Sequence, residues 1–379
     1  MNKEKFIYLD NNSTTRLDPA VYDAMAPWFM EFYGNSSSPN SNGIAAAAAV
    51  ENARRKIASI FAFQDGEILF APSSTLSINT AIAGVAFSGY PAKDHLITQA
   101  TEHPAVLETM KYLRTLGFNV TILPVDYNGL IDLDQLRDSI TDKTLLVSLM
   151  AANNEIGTLQ PLRDAGNICK ERGVLFHSDV TQAAGRYDLN AEELNLDLIS
   201  GGGHKIHGPK GTGYLAIRKK SLLKKITPVY HGGGQEAALF PGTLNVPLIV
   251  GLSRALELSC ANRESENRHL SGLSLLFREI LESEGIDFRL NGPENRLVNN
   301  LSIRFRGIKS SHLIGSIKNV AFSAGSACAS GNESHVLKAI GLTTDEINST
   351  LRFGFSRFNT VEEVKEASLI FANFIKSKR

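Results

Sequence analysis

The sequence carries only three cysteines in 379 residues, a single tryptophan and no apolar stretch approaching the ~20 residues that a membrane helix requires. Cys169, Cys260 and Cys328 are widely spaced and form no CxxC pair, so neither a disulfide framework nor a zinc site is expected and each should be a reduced thiol. Charge of one sign is missing too: 39 Lys and Arg balance 39 Asp and Glu, which gives no electrostatic basis for direct nucleic-acid binding. The opening residues, Met1 to Phe6, contain no apolar signal-peptide core. A cytoplasmic location away from any membrane is therefore the expectation. There is no internal repeat and no low-complexity tract; the Ala45 to Ala49 run belongs to a helical pattern ending near Phe61.

What remains is an ordinary globular composition, 43% hydrophobic and 21% charged, in a chain longer than one core usually fills. From about Glu67 to Ile217, β-rich runs alternate with helical patterns: 68–70, 95–98, 120–123, 145–149, 175–177, 198–200 and 214–217. This alternation predicts an α/β fold around a mostly parallel sheet of seven strands, and the unbroken apolar runs predict strands covered on both faces. Helices are expected over Ala105 to Leu116 and over Asp164 to Arg172, the latter stopped by Gly173. Beyond Gly251 the texture changes to a long polar helix, roughly Leu252 to Glu284, and then strands near Leu301–Ile303 and Val320–Phe322. The expected division is a large domain over 15–251 and a smaller α+β domain made of 1–14 and 252–379.

The most informative segment is Ser200-Gly201-Gly202-Gly203-His204-Lys205, followed by Gly208, Gly211 and Gly213. A lysine after a strand, among glycines that let backbone and a flat ring come close, suits a Schiff-base lysine. His177-Ser178-Asp179 ends an apolar run and sets a carboxylate at a strand's C-terminal edge, where open α/β sheets bind ligands. Such a carboxylate could pair with a protonated pyridine nitrogen and make the ring an electron sink. The step from Phe70 through Ser73-Ser74-Thr75 into a helix offers N–H groups and hydroxyls to a phosphate. His103, ahead of Pro104, could stack on the ring. Taken singly, these residues also read as a loop lysine, a plain helix cap and the opening of a helix.

Together they carry a resemblance. Tyr8-Leu9-Asp10-Asn11-Asn12-Ser13-Thr14-Thr15, Thr101-Glu102-His103, Asn153-Asn154-Glu155-Ile156-Gly157, Asp179 to Gln182, Gly203-His204-Lys205, Gly232 to Glu236, Gly242-Thr243, Ser326-Ala327-Cys328 and Leu351-Arg352-Phe353 match, in order, the motifs of one group. The chain resembles the cysteine desulfurases of the NifS/IscS group, in the class V aminotransferase family of fold type I pyridoxal 5′-phosphate (PLP) enzymes. The resemblance implies that Lys205 binds PLP covalently, Asp179 pairs with its ring nitrogen and His103 stacks on the ring. It implies that Gln182 and Asn154 lie near the phenolic oxygen and the substrate. Ser74, Thr75, Gly202, Gly203 and His204 would hold the phosphate, with Thr243 supplied by the partner subunit of a homodimer. L-cysteine would be the substrate, with its carboxylate on Arg352. Cys328 would take the sulfur as a persulfide, leaving L-alanine, and pass it to a sulfur-acceptor protein.

The residues themselves agree with these roles. Cys328 lies in a run of small residues, Ser323 to Gly331, which leaves a thiol accessible, whereas Cys169 and Cys260 read as buried small hydrophobes. A guanidinium such as that of Arg352 suits bidentate capture of a carboxylate. A thiolate must attack, so Cys328 needs a base, either His103 or the substrate. Several positions depart from the relatives' pattern. Leu76 and Ile78 replace Glu and Asn in the cradle, Gly202 replaces a serine, Ala237 and Phe240 replace arginines, and Asn40 replaces a histidine. The stretch from Cys328 to Leu337 is about two residues shorter than in housekeeping relatives, which limits its reach. The same Lys205, Asp179 and Arg352 would serve an aminotransferase or a selenocysteine lyase of this fold, and the altered cradle would suit a non-catalytic scaffold. Cys328 favours the desulfurase. The acceptor pathway, whether iron–sulfur clusters, tRNA or DNA modification, is left open by the sequence.

Overall fold

The structure, a computed structural model, describes residues 6–64, 67–324 and 333–378. Its strands in chain order are β1 Ile7–Tyr8, β2 Ile68–Ala71, β3 His95–Gln99, β4 Asn119–Leu123, β5 Thr144–Ser148, β6 Leu175–Asp179, β7 Leu198–Gly202 and β8 Gly213–Ile217. These are followed by β9 Phe288–Leu290, β10 Asn300–Phe305, β11 Val320–Ala321 and β12 Thr350–Gly354. Seven of them form one sheet in the order β2-β8-β7-β6-β5-β3-β4. The pairs from β7 through β4 are parallel, and β8 runs antiparallel to both of its neighbours.

Successive side chains of a strand point to opposite faces, and here each face has its own core. Phe70, Ile97, Val147, Phe176, Ile199 and Tyr214 join one core. Leu69, Leu96, Leu146, Leu198 and Leu215 join the other. Continuous apolar runs are thus explained by burial on both sides, with one exception. β4, at the sheet's edge, leaves Asn119 and Ile122 exposed, because no strand or helix covers that margin as fully as the interior.

Two helices that open on this sheet matter for the site. Ser74–Gly89 is capped by Ser73, whose Oγ accepts the Leu76 N–H at 3.2 Å. Pro104–Thr115 is capped by His103, with proline at its first turn where a missing N–H costs nothing. A third helix, Ser41–Phe61, is capped by Asn40, whose Oδ1 accepts the Gly43 N–H at 2.9 Å. Asparagine in place of the relatives' histidine therefore has a local structural job.

The expected single helix over 252–284 is two: Val246–Ala261 and Arg263–Ser283, parted at Asn262, whose φ of −101° and ψ of 8° leave the helical track. The two helices bury different faces. Leu252, Ala255 and Leu256 pack into the first core, whereas Leu270, Leu273 and Phe277 pack with Ile7, Leu9, β10, β12 and the last helix, Val361–Lys376, in another. There β12, β10 and β9 form an antiparallel sheet, and β1 pairs with β11. Among the described residues no helix is long and apolar enough to cross a membrane.

Candidate active site

The parallel strands deliver their C-terminal ends to one edge of the large sheet, and β2 ends there as well. That edge is where turns can present side chains without interrupting the ladder. β2 leads into Ser73-Ser74-Thr75, β3 into Thr101-Glu102-His103, β5 into Met150 to Asn154, β6 ends on Asp179 and β7 on Gly202. No helix separates β6 from β7; consecutive turns follow Asp179, with Gly185 at φ 77°.

A cavity of about 520 Å³ opens at this edge. Of the residues expected in the site, Lys205, Asp179, His103, Gln182, Asn154, Ser74, Thr75, His204 and Arg352 line it together. Gly202 and Gly203 do not line it, although Gly202 lies against the cradle: a Cβ there would sit 3.3 Å from Ser74 Oγ. The hydroxyl that relatives offer at Gly202 thus has a neighbour in Ser74 of this chain. Thr243 is not part of this cavity; it sits exposed on a separate cleft with Phe70, Pro72 and Leu76. Cys328 lies outside the described residues. On either side of it, Ser323 lines the cavity, and Ser334 and His335 bond to the chain neighbours of the cavity residues Asn154 and His103. Ser334 Oγ donates to Glu155 Oε2 at 2.6 Å, and His335 Nε2 donates to the Glu102 carbonyl at 2.9 Å.

Lys205 ends a short 3-10 turn begun by Gly203, and its Nζ donates to the carbonyls of Asn12, at 2.6 Å, and Ser13. Burial pushes this amine down to about 8; Arg352 and Arg186 act in the same direction, while Asp10 and Asp179 oppose it. Asp179 is 5% exposed, and its Oδ1 accepts the Thr181 N–H at 2.9 Å. Gln182 Nε2 donates to the Asn12 carbonyl at 3.0 Å.

His103 has its Nδ1 occupied, accepting the Ala105 N–H at 3.1 Å. Burial lowers the pKa of the ring, with Lys205 and His335 adding to the effect against Asp179 and Glu155, so the imidazole is neutral near pH 7. A neutral ring whose Nδ1 accepts carries its proton on Nε2. His204 is pushed down to about 4 by burial and by Lys205, Lys210 and His103; its Nδ1 lies 3.2 Å from Thr14 Oγ1.

Arg352, 4% exposed, belongs to β12. Its Nη2 donates to Asp10 Oδ1 at 3.0 Å and to Ser13 Oγ, and its Nη1 to the Asn154 carbonyl at 3.2 Å. Its Nε has no partner among the described residues. The Asn12 amide and Thr181 Oγ1, also on the cavity, are likewise unpartnered. Asp10, Asn12 and Ser13 were matched as a motif in the sequence without a role. The signal that could have found them is the run of short polar residues directly after β1. Glu102 is a second omission. Burial raises its carboxyl well above the ordinary carboxylate range, and its Oε1 accepts the Met150 N–H and Gln99 Nε2.

These features fit PLP. The glycines keep space beside the cradle, since a Cβ on Gly213 would strike Ser73 and Ser74 backbone at 2.7 and 2.8 Å. The N–H groups of Ser74 and Thr75 lie ahead of the internal hydrogen bonds of helix Ser74–Gly89 and can meet an anion, whereas that of Leu76 is taken by Ser73. Orphaned donors on the cavity wall call for a polar ligand.

Comparison with known proteins shows the family. The class-V aminotransferase family model matches residues 7–366. A curated relative, "Cysteine desulfurase IscS" of Rickettsia typhi, is 44% identical over 376 residues, covering 98% of this chain and 90% of its own. A solved "NifS-like protein" superposes with a TM-score of 0.91 at 37% identity, covering 99% of this chain and all of its own. The structure described as SspA in complex with cysteine gives 0.83 at 33% identity, covering 93% and 100%. The extent of these matches and the grouping of Lys205, Asp179, His103 and Arg352 in one cavity lead to one conclusion: the chain belongs to the class-V aminotransferase family, in the branch of the cysteine desulfurases.

Proposed function

We propose that the protein is a PLP-dependent cysteine desulfurase that converts L-cysteine to L-alanine and leaves a persulfide on Cys328. The observation that carries this reading is the meeting of Lys205, Asp179, His103 and an incompletely paired Arg352 in one cavity. PLP, when bound, supplies an electron sink for bonds at the substrate's Cα and Cβ. Lys205 would hold it covalently, Asp179 would face its ring nitrogen and Gln182 its phenolic oxygen. Ser74, Thr75, Gly202, Gly203 and His204 would hold the phosphate.

Each remaining step is assigned to a residue of this chain. Arg352, through its free Nε, and Asn154 orient the substrate carboxylate. The Lys205 amine, released by the substrate, removes the Cα proton; with its affinity for protons lowered to about 8, it is poised for that exchange near neutral pH. The Cys328 thiolate attacks the substrate sulfur. An S–S bond forms, the Cβ–S bond breaks, and its electron pair stays with the three-carbon fragment, which is protonated to alanine. His103 Nε2–H is the available donor for that proton, given the backbone N–H on Nδ1. The base for Cys328 is then the substrate rather than His103.

The exposed position of Thr243, away from its own Lys205, supports a homodimer in which Thr243 of the partner subunit completes the phosphate site. The reaction is assigned to the cytoplasm, where a reducing environment keeps Cys328 a thiol. From there a sulfur-acceptor protein would carry the sulfur toward iron–sulfur clusters or toward tRNA or DNA modification. The test is Cys328→Ser: the purified variant should keep the cofactor's visible absorbance and release no sulfide from cysteine. Undiminished sulfide release would refute the assignment.

A further inference from the structure

Away from the cavity, the turn Gln235–Ala238 holds strained backbone. Glu236, Ala237 and Ala238 have φ of 49°, 57° and 62°. Three successive non-glycine residues in the left-handed region are disfavoured by contact between Cβ and carbonyl oxygen, and persist only where surrounding structure holds them.

The group that holds them is the Glu236 carboxylate, whose side chain is 2% exposed. Its Oε1 accepts from Arg54 Nη2 at 2.8 Å; its Oε2 accepts from Arg54 Nη1 at 2.9 Å and from the Phe70 N–H at 2.6 Å. Arg54, from helix Ser41–Phe61, also donates to the Ile68 carbonyl and to Glu51, and its guanidinium lies 4.9 Å from the Phe70 ring centroid. A buried fork-to-fork pair of this kind fixes orientation as well as distance.

Two parts of the phosphate machinery meet at this joint. On one side is Phe70 in β2, just before the Ser73-Ser74-Thr75 cradle. On the other, the strained turn runs through buried Leu239 and Phe240 to Gly242, whose N–H is held by Gln235 Oε1 at 3.1 Å, and to exposed Thr243. Phe70, Gly242 and Thr243 border the same cleft.

We infer that the Arg54–Glu236 pair is a positioning joint that holds Thr243 out for the phosphate site of the partner subunit while bracing the cradle of its own. This rests on the homodimer reading above. Neither residue lines the Lys205 cavity, so the pair acts through Thr243 and Ser74 and not on substrate.

The test uses holoenzyme dimers assembled from two differently tagged chains. In the first dimer, one chain carries Lys205→Ala with Glu236→Gln and the other is unchanged, so the remaining Lys205 faces a loosened Thr243 from its partner. In the second, Lys205→Ala and Glu236→Gln are on different chains, so the remaining Lys205 has an altered cradle and an intact Thr243 opposite. Cofactor remaining on Lys205 is followed over time by borohydride reduction and mass spectrometry of the Lys205 peptide, against a dimer carrying Lys205→Ala alone. Cofactor loss should quicken about tenfold in the first dimer and less in the second. Equal loss in the two, greater loss in the second, or no change in either overturns the joint. Sedimentation of the unaltered protein separates the two ideas: a monomer overturns the homodimer reading and this role with it, whereas a dimer leaves any failure to the joint alone. Should Glu236→Gln fail to fold, Gln235→Ala in its place removes the Gly242 anchor at the surface and should shift the first dimer in the same direction, by less.

Discussion

The two ends of the cavity are built by different means. Around Lys205 and Asp179, the side chains follow strands of one sheet, with only backbone carbonyls of Asn12 and Ser13 reaching in from the N-terminal segment, and burial and glycine shape the space. Around Arg352, they come from segments far apart in sequence: Asp10 and Ser13 near the N-terminus, Asn154 after β5 and β12 itself. The first end has a lysine whose charge is disfavoured, and the second a cation already partnered by a carboxylate. This contrast matches the proposed function, in which chemistry belongs to the Lys205 end and orientation to the Arg352 end. Substrate has to add to, or displace, what Arg352 already holds.

The comparison breaks most visibly at Lys205. Lys205→Ala should abolish the borohydride-reducible link between cofactor and protein and lower kcat at least about a thousandfold, since in the proposed function one group both anchors the cofactor and moves the proton. A normal adduct on another lysine would move the chemistry elsewhere. Arg352→Lys should act differently, raising KM for cysteine by roughly 10–100-fold through loss of the planar fork, with cofactor absorbance unchanged. If the absorbance changed as well, the two ends would not be separable.

pH sharpens the same division. Only the neutral amine can form the covalent link, and burial brings the Lys205 amine down to about 8. Loading of the cofactor-free protein should therefore speed up about tenfold per pH unit as pH rises toward 8 and level off above it. Stopped-flow absorbance would follow this, and an inflection near that of an ordinary lysine would show that the amine is not perturbed. The smallest effect is expected at Gly202, which has extended backbone at φ −146° and ψ 155°. Gly202→Ser restores the relatives' hydroxyl but sets its Cβ 3.3 Å from Ser74 Oγ. Cofactor affinity, measured by fluorescence titration, should change by no more than about threefold. A larger loss would mean that the cradle depends on the missing Cβ.

Much of the first end was legible in the sequence because it is local. Apolar runs closed by glycine or by short polar residues mark where strands stop, and in a parallel sheet strand ends gather at one edge. Lys205, Asp179, His103 and Ser74 could be found that way, and the NifS/IscS motifs added Gln182, Asn154 and Arg352. His103 was legible in both of its aspects, as the opening of a helix and as a cavity residue, yet the sequence did not reveal that capping Ala105 places its proton on Nε2.

What the sequence by itself determined was the α/β sheet, the edge that carries the site and the residue types brought to it, because hydrophobic period and turn chemistry act over a few residues at a time. Only the tertiary structure decided that Lys205 donates to the carbonyls of Asn12 and Ser13, that Asp10 occupies Arg352, that the helix expected from Leu252 parts at Asn262, and that Glu236 locks onto Arg54. Those contacts join distant segments, several of them through backbone carbonyls and N–H groups that every residue type shares. No local pattern could specify them before the two cores closed around them.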